Sequence, residues 1–220
     1  MGKAVFLVYL QMSTKAEIEP GKIVVRRTNK MTIFIHKLSQ LIINKLDMDT
    51  KISTDKLLLK SVELSDLQHM YNLRTNSQVA KYIQRDINKN LEDIRQFIEL
   101  VRKNNFYFTI NTIAPSEFIG TITLWNIDRS TNYAEIGYEL LPQFQGKGLM
   151  NEAVKAILDY AFHEAGFEYI EAYTHRENMA SKKLLERVGF KLIVGKIDED
   201  NSDVIIYGIN KIEKEKAIDH

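Results

Sequence analysis

The chain has 220 residues, of which 45% are hydrophobic and 10% aromatic, enough for one large packed domain or one domain with an appendage. Its formal net charge of +1 gives no overall field that would attract nucleic acid. It contains no cysteine, which excludes disulfides, thiolate metal sites and catalysis through an acyl-cysteine.

The first 52 residues differ in pattern from the rest, and we interpret residues 1–52 as an N-terminal extension without a catalytic role. Residues 4–12 and 22–27 are predicted to be short strands around a turn at Pro20-Gly21. Residues 32–46 are predicted to form a helix. No arrangement of side chains in this part of the sequence indicates chemistry.

Charge, hydropathy and histidine spacing bear on the location and the partners of the protein. Residues 1–47 carry eight basic and three acidic side chains, and the remainder carries 22 basic and 26 acidic ones. The apolar run at 4–10 is too short to span a bilayer. Since the absence of disulfides also fits a cytoplasmic protein, we expect a cytoplasmic monomer or homodimer without membrane or nucleic-acid partners. The five histidines show no H-E-x-x-H spacing, so we predict no metal.

A regular succession of strand and helix patterns begins at Thr54, and we expect one domain over residues 53–212 and a C-terminal tail at 213–220. Asn178 is a favourable N-cap for one of the helices. In chain order we predict a strand at 56–62, helices at 65–74 and 90–101, strands at 106–112, 118–125 and 133–141, a helix from 149, a strand at 169–174, a helix at 179–188 and a hairpin of strands at 190–196 and 204–209. This order predicts an α/β fold, with a mixed sheet flanked by helices.

The segment Gln145–Met150, with the sequence QGKGLM, joins the strand at 133–141 to the following helix. Its two glycines allow a tight turn and a close approach of the backbone to a ligand. The first N–H groups of a helix have no partner within it and lie at the positive end of its dipole. The loop therefore predicts an anion site, most often for a phosphate or pyrophosphate. It matches neither the Walker A nor the Rossmann pattern.

Several ordered motifs over residues 54–210 resemble the GNAT N-acetyltransferases, and among them the RimJ/RimL-type branch. They are the strand FIGTITL at 118–124, AEIGY at 134–138, GKGLMNEA at 146–153, EA at 171–172, ENMAS at 177–181 and GF at 189–190. Met150 departs from the family pattern, in which Gly or Ala is usual. The resemblance implies a mostly antiparallel sheet, splayed where acetyl-CoA binds.

The resemblance also implies acetyl-CoA as the cosubstrate. The backbone N–H groups of the loop would hold the pyrophosphate, the strand end would pair with the pantetheine amides, and Asn178 would contact the pantetheine arm. The implied cofactor-binding residues are Leu140, Leu141, Gln145, Gly146, Lys147, Gly148, Leu149, Met150 and Asn178. For Lys147 a solvated charge is an equally good interpretation.

Acetyl transfer needs a neutral amine and a stabilised leaving thiolate. Glu135 is the first candidate for deprotonating the amine through water, and Glu139, on the same strand face, is the second. The tyrosine that many family members place seven residues after the capping Asn is replaced by Leu185. The resemblance implies Ser181, three residues after Asn178, as the alternative that assists thiolate departure, as in the RimL-like branch. Tyr138 and Tyr173 are possible replacements. His175 could contact the substrate, and Trp125 could shape the acceptor pocket.

The expected activity is transfer of an acetyl group to a primary amine by direct attack in a ternary complex. We expect the acceptor to be a protein or peptide N-terminal α-amine, as in the RimJ/RimL-type branch. The alternatives are a small amine, such as an amino acid, a polyamine or an aminoglycoside, and a sensor module that binds acyl-CoA without transferring it.

Overall fold

The computed structural model describes residues 14–19, 22–27 and 50–218, and the chain divides into two compact units, 1–47 and 48–220. In the first unit, strands β1 (Thr14–Glu19) and β2 (Lys22–Arg27) form an antiparallel hairpin. Strand β2 has the predicted bounds. Its partner is β1 and not the predicted 4–12, because a two-residue loop requires the partner strand to end directly before it. Residues 4–12 and the predicted helix at 32–46 lie outside the described residues.

The second unit contains one mixed sheet of eight strands, in the order β3-β4-β5-β6-β7-β8-β10-β9. All neighbouring strands are antiparallel except β7 and β8, which are parallel. The strands are β3 (Lys51–Ser53), β4 (Leu57–Ser61), β5 (Phe106–Thr112), β6 (Glu117–Asp128), β7 (Tyr133–Leu140), β8 (Tyr169–His175), β9 (Lys191–Leu192) and β10 (Val204–Asn210). The predicted fold class is confirmed.

Helices cover both faces of this sheet, because alternate strand residues supply two hydrophobic cores. Within β5, Phe106 and Phe108 belong to one core, whereas Tyr107 belongs to the other. The helices are α1 (Leu67–Arg74), α2 (Leu91–Asn104), α3 (Leu149–His163), α4 (Met179–Arg187) and α5 (Lys211–Ile218). Helices α3 and α4 pack on the core of Phe106, and α1 and α2 pack on the core of Tyr107. Among the described residues, no helix has the length and apolar character needed to cross a membrane.

Three predicted bounds require correction. Strand β3 pairs with β4 in the main sheet, so the sheet begins before the predicted boundary at 52/53. The predicted tail at 213–220 contains most of helix α5, whose Lys214 is 5% exposed and pairs with Asp159 Oδ1 at 2.8 Å. The predicted strand at 190–196 shortens to β9, since the chain turns away at Gly195, whose φ is +85°.

The parallel strands β7 and β8 separate part of the way along their length. They are paired only from Tyr133 to Ile136 on β7. Beyond this point β7 keeps its pairing with β6 through Leu140, and β8 keeps its pairing with β10 through His175. The edge of β7 from Gly137 to Leu140 therefore faces a gap between the two strands.

Candidate active site

A cavity of about 540 Å³ lies at the gap between β7 and β8. Its wall combines the end of β7, the loop before α3, the end of β8, helix α4 and the segment around Tyr82. Eight of the nine predicted cofactor-binding residues line it: Leu140, Gln145, Gly146, Lys147, Gly148, Leu149, Met150 and Asn178. Leu141 does not, because its N–H donates to Ile119 O at 2.9 Å and its side chain packs on the core of α1 and α2.

The N-terminus of α3 opens towards this cavity. Gly146 and Gly148 have φ values of +74° and +78°, in the left-handed region that glycine adopts without strain. Gly148 caps the helix without a side chain, and the first bond within the helix runs from Glu152 N–H to Gly148 O at 3.2 Å. The N–H groups of residues 149–151 therefore have no acceptor within the helix and can hold an anion. Met150 offers its N–H in the same way as any residue there.

Basic side chains surround the same loop. Lys147 lies with Nζ 5.5 Å from the centroid of the Phe144 ring, and Lys183 and Arg187 reach the cavity from α4. Asn151 also lines the cavity, and its buried Oδ1 has no hydrogen-bond partner. Such an atom is costly to bury alone, so this wall favours a ligand that brings both negative charge and a donor group. These features fit the pyrophosphate and amides of acetyl-CoA.

Two of the predicted polar residues, Gln145 and Asn178, form side-chain hydrogen bonds within the protein near the gap. Gln145 donates from Nε2 to Leu140 O at 3.0 Å, which fixes the loop against the end of β7. Asn178 Oδ1 accepts from Ser181 N–H at 3.1 Å, so the predicted N-cap is confirmed. Leu185 is fully buried in the core, and a hydroxyl group is therefore missing from the position where many family members place their acid.

Ser181 and Tyr138 meet across the gap. The Tyr138 hydroxyl lies 2.9 Å from Ser181 Oγ, and both residues line the cavity. Tyr138 packs against the core of α3 and α4, and burial raises the pKa of its phenol to about 12. The phenol thus stays protonated near neutral pH and can donate a hydrogen bond.

Glu135 faces the opposite side of the sheet. It is 6% exposed, and its Oε1 accepts from Asn126 Nδ2 at 2.5 Å and lies 3.1 Å from the Tyr133 hydroxyl. Desolvation raises the pKa of Glu135, while the hydrogen bonds from Asn126 and Tyr133 oppose that rise. Glu171, paired with Glu135 in the register of β7 and β8, is bound by Lys196 Nζ at 2.7 Å. The lysine neutralises one charge of this buried carboxylate pair.

Glu139 lies further along the same face and forms a bidentate ion pair. Arg85 Nη1 and Nη2 each approach one of its carboxylate oxygens to 2.7 Å, and Arg74 Nη1 lies 3.8 Å away. The side chains of Arg85 and Glu139 are only 10% and 12% exposed. Arg85 follows a 3-10 turn at Val79–Tyr82, and the Tyr82 ring lies tilted by 35° against that of His175, with centroids 5.5 Å apart. The ion pair thus fixes one wall of the cavity.

Some of these residues carried no signal in the sequence. Arg85 and Lys196 belong to no motif, and each meets its carboxylate only through tertiary structure. Trp125, which could shape the acceptor pocket, is 46% exposed beside Gly137 and does not line the cavity. In the described part of the chain, no group of His, Asp and Glu side chains is placed to hold a metal ion.

Comparison with known proteins identifies the family. Residues 56–191 match the family model described as "Acetyltransferase (GNAT) domain". The Bacillus subtilis (strain 168) protein named "Uncharacterized N-acetyltransferase YoaA" is 28% identical over 148 residues, covering 64% of this chain and 82% of YoaA. The [Ribosomal protein uS5]-alanine N-acetyltransferase of Escherichia coli (strain K12) is 34% identical over 87 residues, covering 39% of this chain and 45% of the enzyme.

Solved structures agree with this assignment. A GNAT-family acetyltransferase from Bacillus anthracis has a TM-score of 0.65 at 26% identity, covering 74% of this chain and all of its own. The spermidine N-acetyltransferase of Vibrio cholerae, in complex with CoA and spermine, has a TM-score of 0.67 at 23% identity, covering 73% and 99%. The chain belongs to the GNAT acetyltransferase family. It is an N-acetyltransferase that uses acetyl-CoA.

Proposed function

We propose that this enzyme acetylates the N-terminal α-amine of a protein or peptide. The observation that carries the proposal is the hydrogen bonding of Glu135 and Glu139, the two carboxylates on the face of β7 that points away from α3 and α4. Glu139 is held by two guanidinium N–H groups of Arg85, and Glu135 accepts from Asn126. Both carboxylates are therefore already held by donor groups of the protein.

Such a site suits an amine that is nearly neutral already. An α-amine has a reference pKa of about 7.7–8.0, against about 10.4 for a lysine ammonium. Near pH 7, deprotonation therefore costs about 1 kcal/mol for the α-amine and about 4.6 kcal/mol for the lysine. The relative named [Ribosomal protein uS5]-alanine N-acetyltransferase supports a protein acceptor.

The residues take separate roles in this proposal. The backbone N–H groups at 148–151 and the edge of β7 bind acetyl-CoA, with Asn178 beside the pantetheine arm. Glu135, whose pKa burial raises, assists removal of the amine proton through water. Ser181 assists departure of the thiolate. Glu139 serves mainly to hold Arg85 and the wall of the cavity. A cytoplasmic location is part of the proposal, supported by the cysteine-free chain.

A polyamine is the second candidate acceptor. Glu135 and Glu171 form a buried pair on β7 and β8 just before the two strands separate, outside the lining of the cavity, with Lys196 as their only cation within ion-pair distance in the described part of the chain. A second ammonium group of the acceptor could bind there. The fold shared with the spermidine N-acetyltransferase of Vibrio cholerae makes this acceptor worth a direct test.

The test uses one peptide in two forms. The peptide starts with alanine and carries an internal lysine, and its N-terminus is either free or formylated. Turnover is measured as release of free CoA thiol from acetyl-CoA, and mass spectrometry locates the acetyl group. Spermidine and spermine are assayed in parallel. Binding of CoA is measured separately by calorimetry.

We expect acetylation of the free peptide at its α-amine and none of the formylated one. The value of kcat/KM should rise with pH and level off above about pH 8, where the α-amine is neutral. Faster turnover of spermidine, with kcat/KM still rising towards pH 10, would show that the acceptor is a polyamine and not an α-amine. Tight binding of acetyl-CoA without turnover of any amine would favour the sensor module.

A further inference from the structure

We infer that Tyr138 is a positioning residue for the leaving thiolate: its phenol donates to Ser181 Oγ, and this directs the Ser181 hydroxyl hydrogen at the sulfur of CoA. The inference rests on the proposed function, because it assigns a role in the departure of CoA. It adds the Tyr138 hydroxyl to the proposed function, and this hydroxyl acts on the reaction only through that of Ser181.

The geometry joins two elements that no strand pairing holds together. Tyr138 lies on β7 beyond the last residue that pairs with β8, and Ser181 lies in the first turn of α4. The backbone of Ser181 is fixed, because its N–H donates to the capping Asn178. The 2.9 Å contact between the two hydroxyl oxygens then fixes the side chain as well.

The direction of this hydrogen bond decides where the serine hydrogen points. A serine hydroxyl has one hydrogen and two acceptor lone pairs. A phenol is the more acidic of the two groups and is therefore the better donor. Burial raises the pKa of Tyr138 to about 12, so its hydrogen remains in place over the working range. With Tyr138 as the donor, the Ser181 hydrogen is left for another acceptor.

The cavity is where that acceptor would lie. Among the described residues, Ser181 Oγ forms no hydrogen bond except the one with Tyr138. Ser181 is 9% exposed and forms part of the cavity wall, so its hydrogen can point into the space between β7 and α4. Leu185, one turn further along α4, is buried and offers no competing donor.

The chemical step needs a donor at this place. The amine nitrogen forms a bond to the thioester carbon, the carbon–sulfur bond breaks, and its electron pair goes to sulfur. The excess proton of the amine leaves to water on the side of Glu135. A hydrogen bond from Ser181 stabilises the thiolate without giving up its proton, since a thiol with a reference pKa of about 8.5 is more acidic than either hydroxyl. The thiolate then takes its proton from water.

The inference is tested on CoA itself, without an acceptor. The ultraviolet absorbance of the thiolate reports the pKa of the bound CoA thiol in the wild type, Ser181→Ala, Tyr138→Phe and the double variant. Tyr207→Phe is the matched control, because the Tyr207 hydroxyl also joins a strand to α4, through Glu186 Oε1 at 3.0 Å, but does not line the cavity. Circular dichroism checks each fold, and calorimetry checks that CoA still binds.

We expect the bound thiol to be more acidic than free CoA in the wild type. Ser181→Ala should raise the pKa of the bound thiol by about one unit, because one ordinary hydrogen bond to the thiolate is lost. Tyr138→Phe should raise it by about half a unit, because that hydrogen bond is only weakened. The double variant should equal Ser181→Ala, because Tyr138 acts through Ser181. Tyr207→Phe should match the wild type. With the alanine peptide, Tyr138→Phe should lower kcat about threefold to tenfold and leave the dissociation constant for CoA unchanged.

Three results separate the possible failures. An equal effect of Tyr138→Phe with and without Ser181 would mean that the phenol contacts sulfur itself, which overturns the inference. No change of the thiol pKa in Tyr138→Phe overturns it as well. The expected thiol pattern without turnover of any amine overturns the proposed function, while the hydrogen-bond assignment survives.

Discussion

The ion pair between Arg85 and Glu139 offers a test of what Glu139 does. Two N–H groups of Arg85 lie 2.7 Å from the carboxylate oxygens, and both side chains are close to nine-tenths buried. Removing one partner of such a pair leaves the other charge buried without compensation, which typically costs about 3–5 kcal/mol. We therefore expect Glu139→Gln and Arg85→Met to have similar consequences.

The loss should appear first in the segment 79–86 and not in global unfolding. This segment is short, holds a single 3-10 turn at Val79–Tyr82 and contacts the remainder partly through the ring contact of Tyr82 with His175. A loss of about 3 kcal/mol raises the population of its open form more than a hundredfold. Backbone amide exchange in the segment should accelerate by the same factor, while the central strands keep their protection.

Kinetics distinguish an anchor from a base. If Glu139 is an anchor, both variants should raise KM for the acceptor and leave the affinity for CoA nearly unchanged. Arg95→Met is the matched control, since its ion pair with Glu92 on α2 is exposed and should contribute little. The anchoring role is refuted if Glu139→Gln alone lowers kcat a hundredfold or more, with the segment still protected and Arg85→Met active.

Three further predictions concern the donor site, the extension and the base. Gly148→Asp should weaken CoA binding at least tenfold by calorimetry. Gly195→Asp is the control, because Gly195 has a similar φ but lies away from the cavity, and it should bind CoA as the wild type does. Equal binding by both variants would exclude the loop before α3 as the phosphate site. A chain starting at Met48 should keep its kcat, and a hundredfold loss in folded protein, roughly 2.7 kcal/mol of barrier, would give residues 1–47 a part in the site. Glu135→Gln should lower kcat most at low pH, where the amine is protonated, and wild-type kcat throughout would rule out Glu135. The stability of this variant relative to the wild type should rise with pH in thermal melts, because burial raises the pKa of Glu135 and its ionisation opposes folding.

Hydrophobic periodicity in the sequence predicted most of the sheet. Strand β5 has the predicted bounds at 106–112, because its alternate residues supply two separate cores. The N-cap at Asn178 was also predictable, since capping depends on a side chain and the backbone three residues away. Local patterns of this kind need no knowledge of the rest of the chain.

The errors arose where composition and turn geometry disagreed. The strand predicted at 4–12 stays a prediction, because those residues lie outside the described part of the chain. The strand that pairs with β2 across the two-residue loop is the more polar β1. The apolar character of 190–196 likewise favoured a longer strand than β9. The left-handed conformation of Gly195 ends the pairing there, and a single glycine does not reveal its φ in the sequence.

The site could be predicted only where it is local. The loop before α3 and the start of α4 are short segments with their own signatures, and both reach the cavity as expected. The pairs Arg85–Glu139, Lys196–Glu171 and Tyr138–Ser181 join residues that are 54, 25 and 43 positions apart. Nothing in a single sequence indicates which of many charged or hydroxyl side chains will meet at such separations.

The alternation of side chains along β7 separates the two halves of the proposed chemistry. Tyr138 points to the side of α4, where we infer that the thiolate leaves, and Glu135 and Glu139 point to the side of Arg85. Gly137 lies between them at the start of the gap. A Cβ at this position would lie 3.2 Å from Thr123 Cγ2 and 3.7 Å from Trp125 Nε1, so even alanine would press on side chains of β6. Gly137→Ala should therefore lower kcat/KM more than it weakens CoA binding measured by calorimetry, since the strain falls on β7 between Glu135 and Tyr138 and not on the loop before α3, where we propose that the phosphates bind.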